Sequence, residues 1–477
     1  MDGILKSAAS LRQLAATPAR FLRDRLRRAP VPPPGLPLLV PAEPVAILRA
    51  ADRGFSRFVG ADDVYFDLDS SSVRPVLSAL RSACEAVGQT LRLLIGKRVL
   101  PASDTHIARA ARESVFSVLI CGPNEHVREH RTLIVWKDRG EFWFCASDRL
   151  PIALFPKQAP SLAGNVGQID TAVRFPVDAV YTWVNSEDPG WRALLAPFRE
   201  LTPLDRDRFG QSDELRYSMR SLALFAPWIR RIYIVSNCAR PDWLLETARV
   251  AWVDHSEIIP EDSLPTFNSH AIETFLHRIE GLSEQFLYLN DDVMFSAIAH
   301  KEDFFTGAGA SIARLNPYGS ILNTLSLCER GVAADWQCAA VNSAQILQKR
   351  FGVLPTRMHC HAPFALRRDV YRQMEYEFPE AFKTTRSARF RQVTDVSFTS
   401  FFYHHYAAAI GKGQLSTAPT KIVRPTNYRK FAQAYWDSDY RSFCLNDGAG
   451  SSLDAGYTAF KHSFPAKAFP VIPPWEK

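Results

Sequence analysis

The hydrophobic and polar positions along this chain follow two periods that change place several times. Over 72–87, Val73, Val76, Leu77, Leu80 and Ala83 recur at helical spacing and predict one apolar helix face. Short β-rich runs at 64–69, 90–95, 115–121, 132–136 and 141–146 predict strands around it, so 63–164 reads as a small α/β unit. From 175 onward the runs lengthen. Apolar stretches at 175–184, 232–236, 249–254 and 286–289 predict buried strands, and 213–225 and 268–279 predict helices between them. Strands alternating with helices imply a mostly parallel sheet with helices on its faces. Beyond 305 the pattern supports helices at 346–351, 367–378 and 396–410, whereas the tail from Asp454, with Pro465, Pro470, Pro473 and Pro474, reads as loop. The expected division is a basic helix and linker (1–45), an accessory α/β domain (46–170), a main α/β domain (171–450) and a tail (451–477).

Composition narrows this picture. A chain of 477 residues exceeds one ordinary core, and 47% hydrophobic residues exclude a disordered protein. The net charge of +7 suits phosphate-bearing substrates or an anionic membrane surface without choosing between them, and no feature calls for nucleic acid. Part of that charge is local. Lys6, Arg12, Arg20, Arg23, Arg25, Arg27 and Arg28 face only Asp2 and Asp24, with Leu5, Leu11, Leu14, Phe21, Leu22 and Leu26 between them. A helix over 4–28 would be of the type that lies on an anionic leaflet, a solvated or oligomer-forming helix being the plain alternative. Prolines 32, 33, 34, 37, 41 and 44 then predict an extended linker. No run reaches the ~18 uncharged apolar residues of a membrane span, and no apolar signal region follows the first charges. The eight cysteines are scattered without a CxxC pair, as expected of buried thiols in a reducing compartment. The expectation is a cytoplasmic protein with peripheral contact to the inner membrane.

Three predicted strands end in polar residues: Thr182, Trp183 and Asn185; Ser236 and Asn237; Asn290, Asp291 and Asp292. Ligands of open α/β sheets bind at such carboxyl ends. Thr182, Trp183 and Asn185 could hold a uridine by stacking and hydrogen bonds, with Asp188 at the rim; a strand followed by an Asx turn is the plainer reading. Ser212 and Asp213 offer N-cap chemistry, and Arg216 and Arg220 share a helix face that could clamp a diphosphate or form a solvated ion-pair stripe. Asp291 and Asp292 cannot both be buried unpaired, and a hard divalent cation, Mg²⁺ or Mn²⁺, is a natural partner. Asn268 and Glu273 flank His270 around a helix start, where capping is the plain role for Asn268. His361 before Ala-Pro is a candidate acid or base, Arg389 and Arg391 face one side if extended, and Asn446 and Asp447 could complete a metal or phosphate site.

Singly, each block has a bland alternative; their order is another matter. The runs "DAVYTWVNSEDPGW", "SDELRYSMRSLALFAPWIRRIYIVSN", "FNSHAIETFLHRI" and "FLYLNDDVMF" resemble the Stealth family of sugar-1-phosphate transferases. "HAPFALRRDVY", "ARFRQVTDV" and "FCLND" resemble its third and fourth conserved regions, with Ala362 where the family often has Met or Thr. The resemblance spans about 178–447. It implies a glycosyltransferase-A-like fold with helical additions, a divalent metal on Asp291, Asp292, Asn446 and Asp447, and transfer of hexose-1-phosphate from a UDP-sugar to a polysaccharide with loss of UMP. It makes Asp292, His361 and Arg391 the catalytic candidates, and Asn185, Arg216 and Asn268 donor-site residues.

Overall fold

The computed structural model describes residues 43–53, 64–147, 154–157, 173–202, 205–448 and 450–477. The basic segment and nearly all of the proline-rich linker lie outside the described residues, except that a helix, Pro44–Ala51, begins where the linker was expected to end. The first α/β unit is a seven-stranded mixed sheet covered by the helix Val73–Ala86. That helix buries Val73, Leu77, Leu80 and Cys84, so Cys84 takes the core position expected of Ala83. Its core is separate from the two that follow.

The second sheet carries the site. Its strands are β1 (Val177–Thr182), β2 (Ile232–Ser236), β3 (Val250–Asp254), β4 (Gln285–Asn290) and β5 (Phe364–Arg367), in the order β3-β2-β1-β4-β5. The first four are parallel and β5 runs antiparallel along β4. Apolar residues alternate between two cores: Tyr181, Ile234 and Leu289 enter one, Val180, Tyr233 and Tyr288 the other. Burial on both faces is why these strands read as continuous apolar runs. The α/β expectation holds, in a sheet whose strand order reverses direction at β1. There the chain leaves for β2 on one side while β4 enters on the other, which opens a crevice at their carboxyl ends. Asp178, at the opposite end of β1, accepts two bonds from Arg230 at 2.8 and 2.6 Å and is structural.

Two sequence expectations fail here. The tail is loop only beyond Ala468: Asp454 accepts from the Tyr457 N–H at 2.9 Å and caps a helix, Ala455–Ala468, that contains Pro465 and packs into the main core. Proline content misled because burial of Tyr457, Phe460 and Phe464 outweighs one missing N–H. Asp213 is no side-chain cap either; it sits at φ 62 and its carboxylate makes no capping bond. Lys97, in a turn of the first sheet, donates to the Tyr435 and Ser438 carbonyls of the second unit at 2.9 Å each. Burial lowers its pKa to about 8. All eight cysteines are free. Among the described residues no helix is long and apolar enough to cross a membrane.

Candidate active site

A cleft of about 1020 Å³ opens at the reversal point, floored by Thr182, Trp183, Asn290, Asp291 and Asp292. Thr182 ends β1 and Trp183 follows it directly. The Thr182 hydroxyl lies 2.8 Å from that of Tyr288, and Trp183 packs edge-on against Trp252 with its indole Nε1 lacking a partner among the described residues. A buried indole N–H without an acceptor is a donor available to a ligand.

Asp291 and Asp292 follow β4. Asp291 accepts from Gln211 at 2.7 Å; Asp292 accepts from the Cys444 thiol at 3.0 Å through Oδ2, and its Oδ1 has no partner among the described residues. Burial, then the charges of Asp292 and Glu214, push Asp291 up to about 8. Burial, with Asp447 and Glu214 adding to it, pushes Asp292 up to about 7 against the opposing bond from Cys444. This is a concentration of negative charge that a cation would relieve. Among the described residues, however, no group of three or more His, Cys, Asp or Glu side chains is arranged to hold a metal ion. Asn446 and Asp447 line the cleft but are engaged: Asn446 accepts from Arg424 at 3.1 Å, and Asp447 from Lys461 at 2.6 Å and Ser451 at 2.9 Å. Lys461 also meets Glu214 at 3.1 Å, so a lysine already balances this side of the cluster.

The opposite wall is cationic. Arg391 enters the cleft with Nη2 2.6 Å from the Ser269 hydroxyl, and Arg208 and Arg424 line it as well. His361 is open to the cleft solvent. Desolvation by the cleft walls, then the charges of Arg424 and Arg391, lower its pKa below 6.5. His359, two residues earlier, fixes the strand: its Nδ1 donates to the Cys360 carbonyl at 2.6 Å, its Nε2 accepts from the Arg314 N–H at 3.0 Å, and its ring lies 4.1 Å from that of His404. Glu273 also lines the cleft and accepts from Tyr288 at 3.3 Å and from Thr399.

The remaining candidates stand elsewhere. Asn185 forms an Asx turn to the Glu187 N–H, and Asp188 caps the helix Pro189–Leu195 through the Trp191 N–H at 2.6 Å. Arg216 and Arg220 do not line the cleft; both pair with the buried carboxylate of Glu476. Arg389 turns away from Arg391, donates to the Pro265 carbonyl at 2.9 Å and stacks 4.1 Å over Phe198, because the segment is a loop and not a strand. Asn268 is fully buried: it caps the helix Ser269–Glu273 through the His270 N–H and donates to Asp395 at 2.9 Å and to the Ala388 carbonyl. It positions the loop that bears Arg391. Sequence reasoning passed over Gln211, Glu214, Arg424 and Lys461, for which no local spacing gave a signal.

With this geometry in hand, comparisons with known proteins are informative. Family models for Stealth protein conserved regions 1, 2 and 3 match residues 175–201, 208–313 and 360–408, stretches that build most of the cleft. The chain belongs to the Stealth family. Among curated Stealth relatives, the capsular polysaccharide phosphotransferase SacB of Neisseria meningitidis serogroup A is 36% identical over 316 residues, covering 64% of this chain and 57% of that one. The exopolysaccharide phosphotransferase SCO6021 of Streptomyces coelicolor is 40% identical over 318 residues, covering 64% and 58%. The chain thus spans little more than half the length of these relatives. Among solved structures, the galactosyltransferase LgtC aligns at 12% identity and a TM-score of 0.34, covering 62% of this chain and 98% of that one.

Proposed function

We propose that this Stealth chain transfers a hexose-1-phosphate, N-acetylglucosamine-1-phosphate in the first instance, from a UDP-sugar to a hydroxyl of a growing capsular or exopolysaccharide. The observation that carries the reading is the cleft's division into an acidic floor and a wall holding Arg208, Arg391, Arg424 and His361. Such a wall is suited to a diphosphate whose charge shifts during attack at phosphorus. The names of the relatives, capsular and exopolysaccharide phosphotransferases, support the same class.

In this reading Thr182 and Trp183 receive the nucleoside, and Arg391 and Arg424 bind the phosphoryl oxygens. His361, a neutral imidazole between two guanidinium groups, hydrogen-bonds the same oxygens. The acceptor oxygen forms a bond to the phosphorus that bears the sugar, the bond from that phosphorus to the UMP oxygen breaks, and the hydroxyl proton passes to a base. Positioning and charge compensation suffice, with no covalent intermediate. Asp292, through its unpartnered Oδ1, and Asp291 are the residues that would hold Mg²⁺ or Mn²⁺, since magnesium takes one or two carboxylates with the rest from substrate phosphates and water. Bound there, the ion would supply charge neutralisation at the diphosphate. Asn446 and Asp447, already bonded to Arg424 and Lys461, are set aside as direct ligands.

The test is to incubate purified protein with Mg²⁺, a panel of UDP-sugars and an oligosaccharide primer, and to identify the released nucleotide. UMP, with a phosphodiester phosphorus-31 signal in the product, is expected. Release of UDP would mean transfer of the sugar alone and would sink the proposal.

A further inference from the structure

We propose that His270, oriented by Asp395, is the catalytic residue that takes the proton from the acceptor hydroxyl. This rests on the phosphotransferase reading above and goes beyond it by assigning the base. His270 lines the cleft from the first turn of the helix Ser269–Glu273, and its Nδ1 lies 3.2 Å from Asp395 Oδ2. Because a carboxylate only accepts, Nδ1 carries the hydrogen, and Nε2 is left as a lone-pair acceptor with no partner among the described residues. Asp395 is itself fully buried and held by the Asn268 amide at 2.9 Å and the Gln392 N–H at 3.0 Å. A base fixed in one tautomer by a carboxylate that is fixed in turn is the arrangement general-base catalysis requires.

The other two candidates are committed elsewhere. His361 has no carboxylate partner among the described residues and stands beside Arg424 and Arg391, where taking up a proton adds a third positive charge. Asp292 carries the free oxygen that suits a cation. His270 instead shares its loop framework with Arg391: Asp395 follows Arg391 on the same loop, and Ser269, next to His270, accepts from the Arg391 guanidinium at 2.6 Å. The base and the phosphoryl-binding arginine are therefore placed by one network. In the step itself the acceptor O–H bond breaks toward Nε2, the O–P bond forms, the P–O bond to UMP breaks, and the imidazolium formed is stabilised by Asp395.

The experiment uses the full chain with a UDP-sugar, Mg²⁺ and primer, compared with His270→Asn, His270→Ala and Asp395→Asn. His270→Asn keeps an amide donor near the Nδ1 position, so the Asp395 network persists while the base is lost. The expected result is a fall in kcat of about 100-fold or more, with UMP affinity within about threefold of wild type. Added imidazole should restore part of the turnover of His270→Ala, which a structural role could not explain. Asp395 acts as a positioning residue, so Asp395→Asn should lower kcat with donor KM unchanged. Turnover of His270→Asn within tenfold of wild type would overturn the inference while leaving the proposed function standing. A wild-type enzyme that releases UDP would overturn both.

Discussion

Glu476 tests whether Arg216 and Arg220 bind substrate or hold the fold. Its side chain is 1% exposed and accepts from Arg220 through Nε at 2.8 Å and Nη2 at 2.6 Å, and from Arg216 through Nε at 2.5 Å. Arg220, 9% exposed, has one further bond, to the Phe469 carbonyl at 3.1 Å. Glu476→Ala therefore leaves one guanidinium buried against a single carbonyl, at a cost of about 3–5 kcal/mol. Arg216 is 28% exposed and can turn to water, so Arg216→Ala should cost no more than about 1 kcal/mol. Arg220→Ala falls between, at roughly 2–4 kcal/mol, because Glu476 keeps the Arg216 bond while losing two others. Urea unfolding followed by tryptophan fluorescence should rank the midpoints in that order, with kcat/KM for UMP release within about threefold of wild type for the variants that remain folded. An Arg220→Ala protein with an unshifted midpoint and a tenfold higher donor KM would refute this reasoning and return Arg220 to the donor site.

Two further outcomes follow from buried polar groups. Asn268→Ala removes a helix cap and leaves Asp395 and the Ala388 carbonyl each short of a donor; it should destabilise by about 2–4 kcal/mol and lower kcat through Arg391, and a raised donor KM at unchanged stability would restore Asn268 to the donor site. Burial pushes His130 and His255 down to about 4 and His359 to about 3, below the 6.5 of an unfolded chain. The unfolded state then binds more protons, so the stability from keeping them neutral is complete above pH 6.5 and is lost as pH falls toward 3–4. At about pH 5 each contributes roughly 2 kcal/mol less than at neutrality, and a melting temperature that stays flat from about pH 7 to pH 5 would contradict these environments.

What the sequence made legible depended on whether a signal was periodic or pairwise. The ends of β1 and β4 were legible because an apolar run closing in polar residues marks both a buried strand and its exit from the core. That alone brought Thr182, Trp183, Asp291 and Asp292 to one cleft. Asn185, Asp188 and Asn268 fill turn and cap positions, and capping a helix and binding a ligand draw on the same short polar side chains. Only the position of the acceptor N–H separates the two roles. Arg216 and Arg220 were correctly placed on one helix face, but the partner that decides their role is 256 residues from Arg220, in a tail whose prolines read as loop. Arg389 and Arg391 were assigned one side by a strand period that the loop does not keep. His270 and Asp395 both lie inside motifs that the resemblance identified, yet they are 125 residues apart and nothing local shows that they meet. Motif order located the site, and long-range pairing decides which of its polar residues are free to do chemistry. On that criterion three cleft atoms without a partner among the described residues, Asp292 Oδ1, Trp183 Nε1 and His270 Nε2, are the places where we propose that cation, substrate and proton would be received.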